Sequence, residues 1–258
     1  MVSIQFSITL FNFKDKIDLL KQINNDKQTI IITMTFIFSI EGNIGSGKST
    51  LVGKLRDNYK DVTNCFSKNI IFMEEPVDIW VTIKDSAGEN MIEKFYKDQT
   101  KYGFSFQMMA YISRLSMLKK CIKENPDSII ICERSINTDK NVFAKMLHDD
   151  GKIEDVEFEI YTRWFDEFIS DIPTSGVIYV KTDPYISHSR VIKRGRKGED
   201  IPLSYLVNCD LYHNVWLVNK ENSNGNILVL DGDHDKTQDD YDVWIIQIEH
   251  FIYCGVYA

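Results

Sequence analysis

Residues 40–50 read IEGNIGSGKST, and this stretch constrains the fold more than any other. Gly42, four residues, Gly47, Lys48 and Ser49 satisfy the spacing GxxxxGK[ST], in which backbone amides, a lysine and a hydroxyl enclose a polyphosphate. Such a loop works only between a strand and a helix. FIFSIE, residues 36–41, is a short apolar run, and STLVGKLRDNY after the loop has helical spacing. Gly42, Asn43, Ile44, Gly45, Ser46, Gly47, Lys48, Ser49 and Thr50 are therefore expected to bind a nucleoside triphosphate, with the amides from Asn43 to Lys48 forming an anion nest at a helix N-terminus. Lys48 is expected on the β- and γ-phosphates and Ser49 on Mg²⁺.

Further apolar runs follow at 69–75 (NIIFMEE, stopped by Pro76), 129–133 (IIICE), 176–182 (GVIYVKT) and 227–231 (ILVLD), separated by helical stretches. Strands alternating with helices predict an α/β fold of three layers, a five-stranded parallel sheet flanked by helices, as in P-loop nucleotide hydrolases. Glu41, Glu75, Glu133, Asp183 and Asp231 each stand at a strand end. The carboxyl ends of such strands edge the ligand crevice, so these charges are expected to converge on one site.

Composition narrows the class. A formal charge of -8 and a pI near 5.2 argue against broad nucleic-acid binding, so any anion site must be local. The five cysteines are scattered, with no metal spacing, as expected of reduced thiols in a cytoplasmic protein. No apolar run reaches the roughly 18 residues that span a bilayer, so no membrane partner is expected. Residues 1–34 precede the first strand, contain no Arg and carry Asp15, Asp18 and Asp26, unlike a transit peptide. They read as a poorly ordered N-terminal extension, or as sequence upstream of a true start at Met34. Residues 35–258 form the expected functional domain.

Several side chains offer chemistry for phosphoryl transfer to a hydroxyl. Glu75 stands at a strand end before a proline, where a general base would be fixed; alone it would read as a solvated charge. Glu133 is suited to hold Mg²⁺ and Arg134 to bridge acceptor and phosphate. Arg190, Lys193, Arg194, Arg196 and Lys197 crowd into eight residues and read as a lid over the triphosphate at about 188–200. Gln107, Tyr111 and Arg114 follow helical spacing, so an amide, a phenol and a guanidinium are expected along one face. The amide suits a nucleobase edge.

Together GNIGSGKST, EEPVDIW, YGFSFQMMAYISR, ERSINTDKNVF and RVIKRGRKGEDIPLSYL closely resemble the deoxynucleoside kinase family, the group of deoxycytidine, deoxyguanosine and mitochondrial-type thymidine kinases and the insect multisubstrate enzyme. The match runs in order from about Phe36 to Leu230. This resemblance implies a homodimer that transfers the γ-phosphate of ATP to the 5′-hydroxyl of a deoxyribonucleoside for DNA precursor salvage. By motif position Glu75 resembles the base, Arg134 the arginine at the 5′-oxygen and Glu133 the acid near Mg²⁺. Gln107 resembles the residue that pairs with the nucleobase between the apolar walls Trp80, Phe106 and Phe143. Tyr96 resembles the tyrosine on the sugar 3′-hydroxyl, and Glu199 its acidic partner. KGED is one residue shorter than in the family pattern, which leaves Asp200 as the alternative. Arg190, Arg194 and Arg196 match the lid arginines. Asp231 and Asp233, in DGDHD, fall at the donor-base loop. Arg114 and Asp139 match the Arg and Asp pair of cytidine- and purine-directed members, so deoxycytidine or purine deoxynucleosides are expected over thymidine.

Two rivals use the same loop. A nucleotide-gated switch or ATPase would add switch segments, and a GTPase NKxD; NTDK and VNKE do not match. A nucleoside monophosphate kinase would need more positive charge for the acceptor phosphate than the surroundings of Gln107 offer.

Overall fold

The computed structural model describes residues 34–60, 66–169, 172–196, 199–218 and 226–257. The expected extension up to residue 33, Cys65 and the lid positions Lys197 and Gly198 lie outside the described residues.

The strands are β1 (Phe36–Glu41), β2 (Asn69–Met73), β3 (Ser128–Glu133), β4 (Gly176–Lys181) and β5 (Ile227–Asp231). They form one parallel sheet in the order β2-β3-β1-β4-β5. Helices α1 (Lys48–Lys60), α2 (Val77–Trp80), α3 (Met91–Lys97), α4 (Gln99–Glu124) and α5 (Ile136–Thr138) precede a π-helical segment, Asp139–Ala144. Then come α6 (Lys145–Asp149), α7 (Asp155–Ile169), α8 (Pro184–Arg194), α9 (Leu203–Leu217) and α10 (Gln238–Tyr257).

The three inner strands, β3, β1 and β4, are largely apolar because both faces are covered, whereas the edge strands β2 and β5 are only partly buried. Phe38, Ile40, Ile129 and Ile131 pack on one face with Leu51 and Leu55 of α1 and Ile248 of α10. Their neighbours Ile37, Ile130 and Cys132 point to the other face, against Leu115 and Leu118 of α4 and Tyr161 and Phe165 of α7. Each fully buried aliphatic side chain contributes about 1.5–3 kcal/mol, so the sheet's alternate faces fix its register.

β1 is central, with β3 on one side and β4 on the other, and the loop that leaves it opens at this switch point. The register sets Ile40 opposite Glu133, which brings the acid at the end of β3 level with the start of the phosphate loop.

Some boundaries differ from the sequence expectation. β2 ends at Met73, not Glu75, because Pro76 removes a donor and the two glutamates leave the ladder for the crevice. β4 ends at Lys181 rather than Thr182. The stretch 81–90 is not helical: it closes on an isolated Lys84–Asn90 bridge before a capping box of Asn90 and Glu93 starts α3.

Candidate active site

The phosphate loop is shaped by glycine where no other residue fits. At Gly42 φ is +147°, and an added Cβ would stand 2.5 Å from the Val180 carbonyl oxygen. A Cβ on Gly45, at φ +83°, would stand 2.4 Å from the Ser187 carbonyl oxygen of α8. Lys48 opens α1, and its buried Nζ donates to the carbonyl oxygens of Gly42 (3.0 Å) and Asn43 (2.7 Å). Burial first, and the nearby Arg134 charge second, push its pKa down to about 7. Ser49 Oγ donates to Glu133 Oε1 at 2.7 Å.

Beside the loop, four charged side chains form a buried chain of ion pairs. Arg134 Nη1 reaches both Glu75 oxygens, at 3.0 and 3.1 Å, and Arg114 Nη2 reaches Glu75 Oε1 at 2.5 Å. Arg114 Nε lies 3.0 Å from Asp139 Oδ2. Burial alone would raise the Glu75 pKa, but Arg134 and Arg114 outweigh it and hold the carboxyl well below the usual range. For Asp139 burial prevails over Arg114 and pushes the pKa up to about 7. Arg134 adopts φ +61°, a strained region for a residue with a Cβ, and its amide donates to the Ile40 carbonyl oxygen at 3.0 Å. That turn aims the guanidinium back over the loop.

A cavity of about 820 Å³ runs from the phosphate loop past Glu75 to an apolar end lined by Trp80, Phe106 and Phe143. Trp80 and Phe106 meet edge to face at 5.7 Å. Gln107 is 1% exposed, lines the cavity, and its Oε1 has no hydrogen-bond partner. A buried amide oxygen without a donor is costly, which marks it as a group awaiting a ligand. Tyr96 lines the same cavity, and burial followed by the Glu199 charge raises its pKa.

Most of the residues expected from sequence therefore meet: Lys48, Ser49, Thr50, Glu75, Glu133, Arg134 and the pocket set Trp80, Tyr96, Phe106, Gln107, Arg114, Asp139 and Phe143 all line this cavity. Glu199 lines it too, accepting from Arg194 and from Arg196 Nη1 (2.9 Å), whereas Asp200 is exposed. Ile44, Gly45, Ser46 and Gly47 line the phosphate end.

Other expectations are corrected. Glu41, Asp183 and Asp231 do not converge on the crevice. Glu41 is fully buried and accepts from the Ser135 amide (2.8 Å) and the Thr138 hydroxyl. Asp183 caps α8 by accepting from the Tyr185 amide at 2.8 Å. Asp231 accepts from the Asp233 amide (2.9 Å), and Asp233 from the Asp183 amide (2.6 Å), so both shape their loop from within. Gly232, His234, Asp235 and Lys236 face the cavity in their place. Gly42 and Asn43 lie behind the lining: Asn43 Nδ2 donates to the Leu206 carbonyl oxygen at 2.8 Å. Tyr111 turns away from Gln107 and Arg114, and its hydroxyl donates to the Trp164 carbonyl oxygen at 2.9 Å. Arg190 lines the cavity with Arg194 and Arg196, and its guanidinium donates to the carbonyl oxygens of Gly232 (2.9 Å) and His234 (3.2 Å).

Sequence reasoning missed Phe95, Tyr205, Tyr241 and Trp244, which also line the cavity. Phe95 stacks on Phe106 at 4.3 Å, and its place next to Tyr96 was the available signal. Tyr241 and Trp244 sit on a helix whose apolar spacing gives no hint of a ligand.

The model of the family described as deoxynucleoside kinase matches residues 38–253. A probable deoxycytidine kinase of Fowlpox virus is 36% identical over 207 residues, 78% of this chain and 80% of the relative. Deoxycytidine kinase 2 of Gallus gallus is 34% identical over 203 residues, 70% of this chain and 74% of its own length. The mitochondrial thymidine kinase 2 of Homo sapiens is 29% identical over 203 residues, 77% of this chain and 71% of its own. With this coverage, and with the phosphate loop, Glu75 and Arg134 joined in one cavity, the chain belongs to the deoxynucleoside kinase family and is an ATP-dependent phosphotransferase acting on deoxynucleosides.

Proposed function

We propose that this kinase phosphorylates the 5′-hydroxyl of deoxycytidine or a purine deoxynucleoside in preference to thymidine. The observation that carries the reading is the chain of ion pairs Glu75–Arg114–Asp139, which lines the same cavity as Gln107, whose amide oxygen is unpaired. A carboxylate at a base edge accepts from an exocyclic amine, which cytosine and adenine have and thymine lacks. Two of the relatives are named deoxycytidine kinases, which supports the same preference.

In this reading Glu75 takes the 5′-hydroxyl proton while that oxygen attacks the γ-phosphorus, and the bond from the γ-phosphorus to the bridging oxygen breaks to release ADP. Glu75 is ionised throughout the neutral range but is a weak base, because two guanidinium groups stabilise its charge. A weak base suffices where little charge develops on the nucleophile, as in a loose phosphoryl-transfer transition state. Arg134 neutralises the accepting oxygen and the transferring group, and Lys48 the β- and γ-phosphates. Ser49 and Glu133 would hold Mg²⁺. Their oxygens lie 2.7 Å apart, and the described residues contain no group of three or more metal-ligating side chains. That sparse set of hard oxygens suits an ion that keeps waters and phosphates as its other ligands. When bound, the ion would neutralise charge on the phosphates.

Residues 35–258 are the kinase domain in this reading, with 188–200 as its lid, and Arg190, Arg194 and Arg196 move onto the triphosphate when it binds. The protein acts as a homodimer in the cytoplasm, in salvage of DNA precursors. Val156 (61% exposed), Ile160 (42%), Trp164 (48%) and Phe168 (42%) recur every four residues on α7. An apolar stripe of that kind on a polar protein suits burial against its own copy across a two-fold axis. Trp164→Glu should halve the mass measured by light scattering; an unchanged mass would remove α7 from the interface. No described helix is long and apolar enough to cross a membrane.

The deciding experiment is ATP-dependent phosphorylation of the four deoxynucleosides beside their ribose counterparts. Turnover ranked with deoxycytidine or a purine deoxynucleoside first supports the reading. A preference for thymidine overturns it.

A further inference from the structure

Asp139 is held less completely than the other buried acids around it. Glu75 receives N–H groups from Arg114 and Arg134, and Glu41 accepts from the Ser135 amide and the Thr138 hydroxyl. Asp139 is 1% exposed, and its donor is Arg114 Nε, 3.2 Å from Oδ1. Nε lies as near to Oδ2, at 3.0 Å, but its single N–H serves Oδ1, and Oδ2 has no hydrogen-bond partner. An ionised carboxylate has about four acceptor sites, so most of those on Asp139 go unused.

Charge counting points the same way. The charges that act most strongly on Asp139 are those of Arg114 from α4, Glu75 beyond β2, Arg134 beyond β3 and Glu41 at the end of β1. With Asp139 itself, three carboxylates share two guanidinium groups. A buried charge without a full partner is costly, and a group so placed takes up a proton instead. The proton falls to the acid with the fewest donors, and burial raises the Asp139 pKa against the pull of Arg114 to about 7. Arg114 then still pairs with Glu75 at 2.5 Å, so no guanidinium is stranded. The other groups packed around the π-helical segment do not compete for this proton. Burial keeps the phenol of Tyr161 on α7 uncharged, and it pushes His213 of α9, which meets the Phe143 ring, down to about 3. Lys140 pairs with Asp166, and Lys145 with Asp149.

Asp139 and Gln107 line one cavity. The Gln107 amide carries both a donor and an acceptor, so it serves a base of either pattern. An ionised carboxyl only accepts, whereas a neutral one adds an O–H donor. We propose that Asp139 selects the base through its own protonation state: ionised, it accepts from the exocyclic amine of cytosine or adenine; neutral, it donates to the carbonyl oxygen that uracil and guanine carry at the same position. The switch deepens the base reading under Proposed function and rests on it.

The test uses the full chain and two substrates of equal size, deoxycytidine and deoxyuridine, which differ in that amine or carbonyl and in the protonation of the ring nitrogen beside it. With saturating ATP, kcat/KM is measured for both from about pH 6 to about pH 8, where neither base titrates. Ionisations common to both reactions, that of Lys48 among them, cancel in the ratio. The deoxycytidine-to-deoxyuridine ratio should rise with pH by up to about tenfold per unit, since one substrate needs the ionised form and the other the neutral one. In Asp139→Asn, which has no titrating carboxyl, the ratio should be flat. Calorimetry of nucleoside binding at about pH 7, in buffers of different ionisation enthalpy, needs no variant: deoxycytidine should release protons and deoxyuridine should take them up. A flat ratio in the unsubstituted protein, with deoxycytidine turned over, would overturn the switch and leave the base reading standing. So would a slope that persists in Asp139→Asn, or proton changes of the same sign for both nucleosides. A preference for thymidine at every pH would overturn the base reading, and the switch with it.

Discussion

On the side of the cavity that the proposal gives to the acceptor, Glu75, Arg114, Arg134 and Asp139 pair with side chains no more than 18% exposed. On the proposed donor side, Arg190, Arg194 and Arg196 pair with Asp235 and Glu199, and these arginine side chains are 24 to 45% exposed. Removing one partner from a buried pair costs about 3–5 kcal/mol, while an exposed pair is worth about 0–1 kcal/mol. The acceptor half is thus fixed before a nucleoside arrives. The donor half holds its arginines in weak pairings that a triphosphate can replace.

If the acceptor half is as rigid as this contrast implies, Glu75→Gln should lower kcat by about 10²–10⁴ with little change in either KM, since the amide keeps the shape and loses the proton acceptor. A loss confined to KM would break the comparison. Next in size, Arg114→Met with Asp139→Ala should raise the thymidine-to-deoxycytidine ratio of kcat/KM by about 10–200-fold, the range for a few pocket contacts. An unchanged ratio would remove this pair from base reading.

The pH dependence sharpens the donor side. With its pKa pushed down to about 7, Lys48 is increasingly neutral above pH 7 in the free protein. A bound triphosphate favours the charged form, so ATP binding takes up a proton. Affinity should therefore fall as pH rises from 7 to 9, by up to about tenfold per unit, and titration calorimetry in buffers of different ionisation enthalpy should register the uptake. The smallest expected effect is that of Arg194→Ala, a rise of a few-fold in KM for ATP that shrinks with added salt because exposed charges are screened. KM for the nucleoside should stay nearly insensitive to salt.

The same contrast explains what the sequence made legible. Five apolar runs and a glycine-rich loop identify the sheet, because burial of both faces leaves no polar alternation to confuse the reading. Side-chain direction is harder. At about 100° per residue, Tyr111 lies about 40° to one side of Gln107 and Arg114 about 20° to the other. That difference is enough to send the phenol to α7 and the guanidinium to Glu75. The π-helical turn that brings both Asp139 and Phe143 to the cavity has no composition signal, since wider turns differ in hydrogen bonding rather than residue type. Asp231 and Asp233 carry the charge expected of a binding loop, but amides within two residues or in the adjoining turn capture it first.

Glu41 ends the strand that launches the phosphate loop, and its two oxygens hold Ser135 and Thr138, which adjoin Arg134 and Asp139 in the chain. One carboxylate thereby indexes both halves of the reaction to a common datum. In the proposed reaction the distance from transferring phosphorus to accepting oxygen would be set at this pin, in the core, and would inherit the core's tolerance rather than that of the loops. An error of an ångström there would displace every in-line trajectory at once, whatever the lid arginines do.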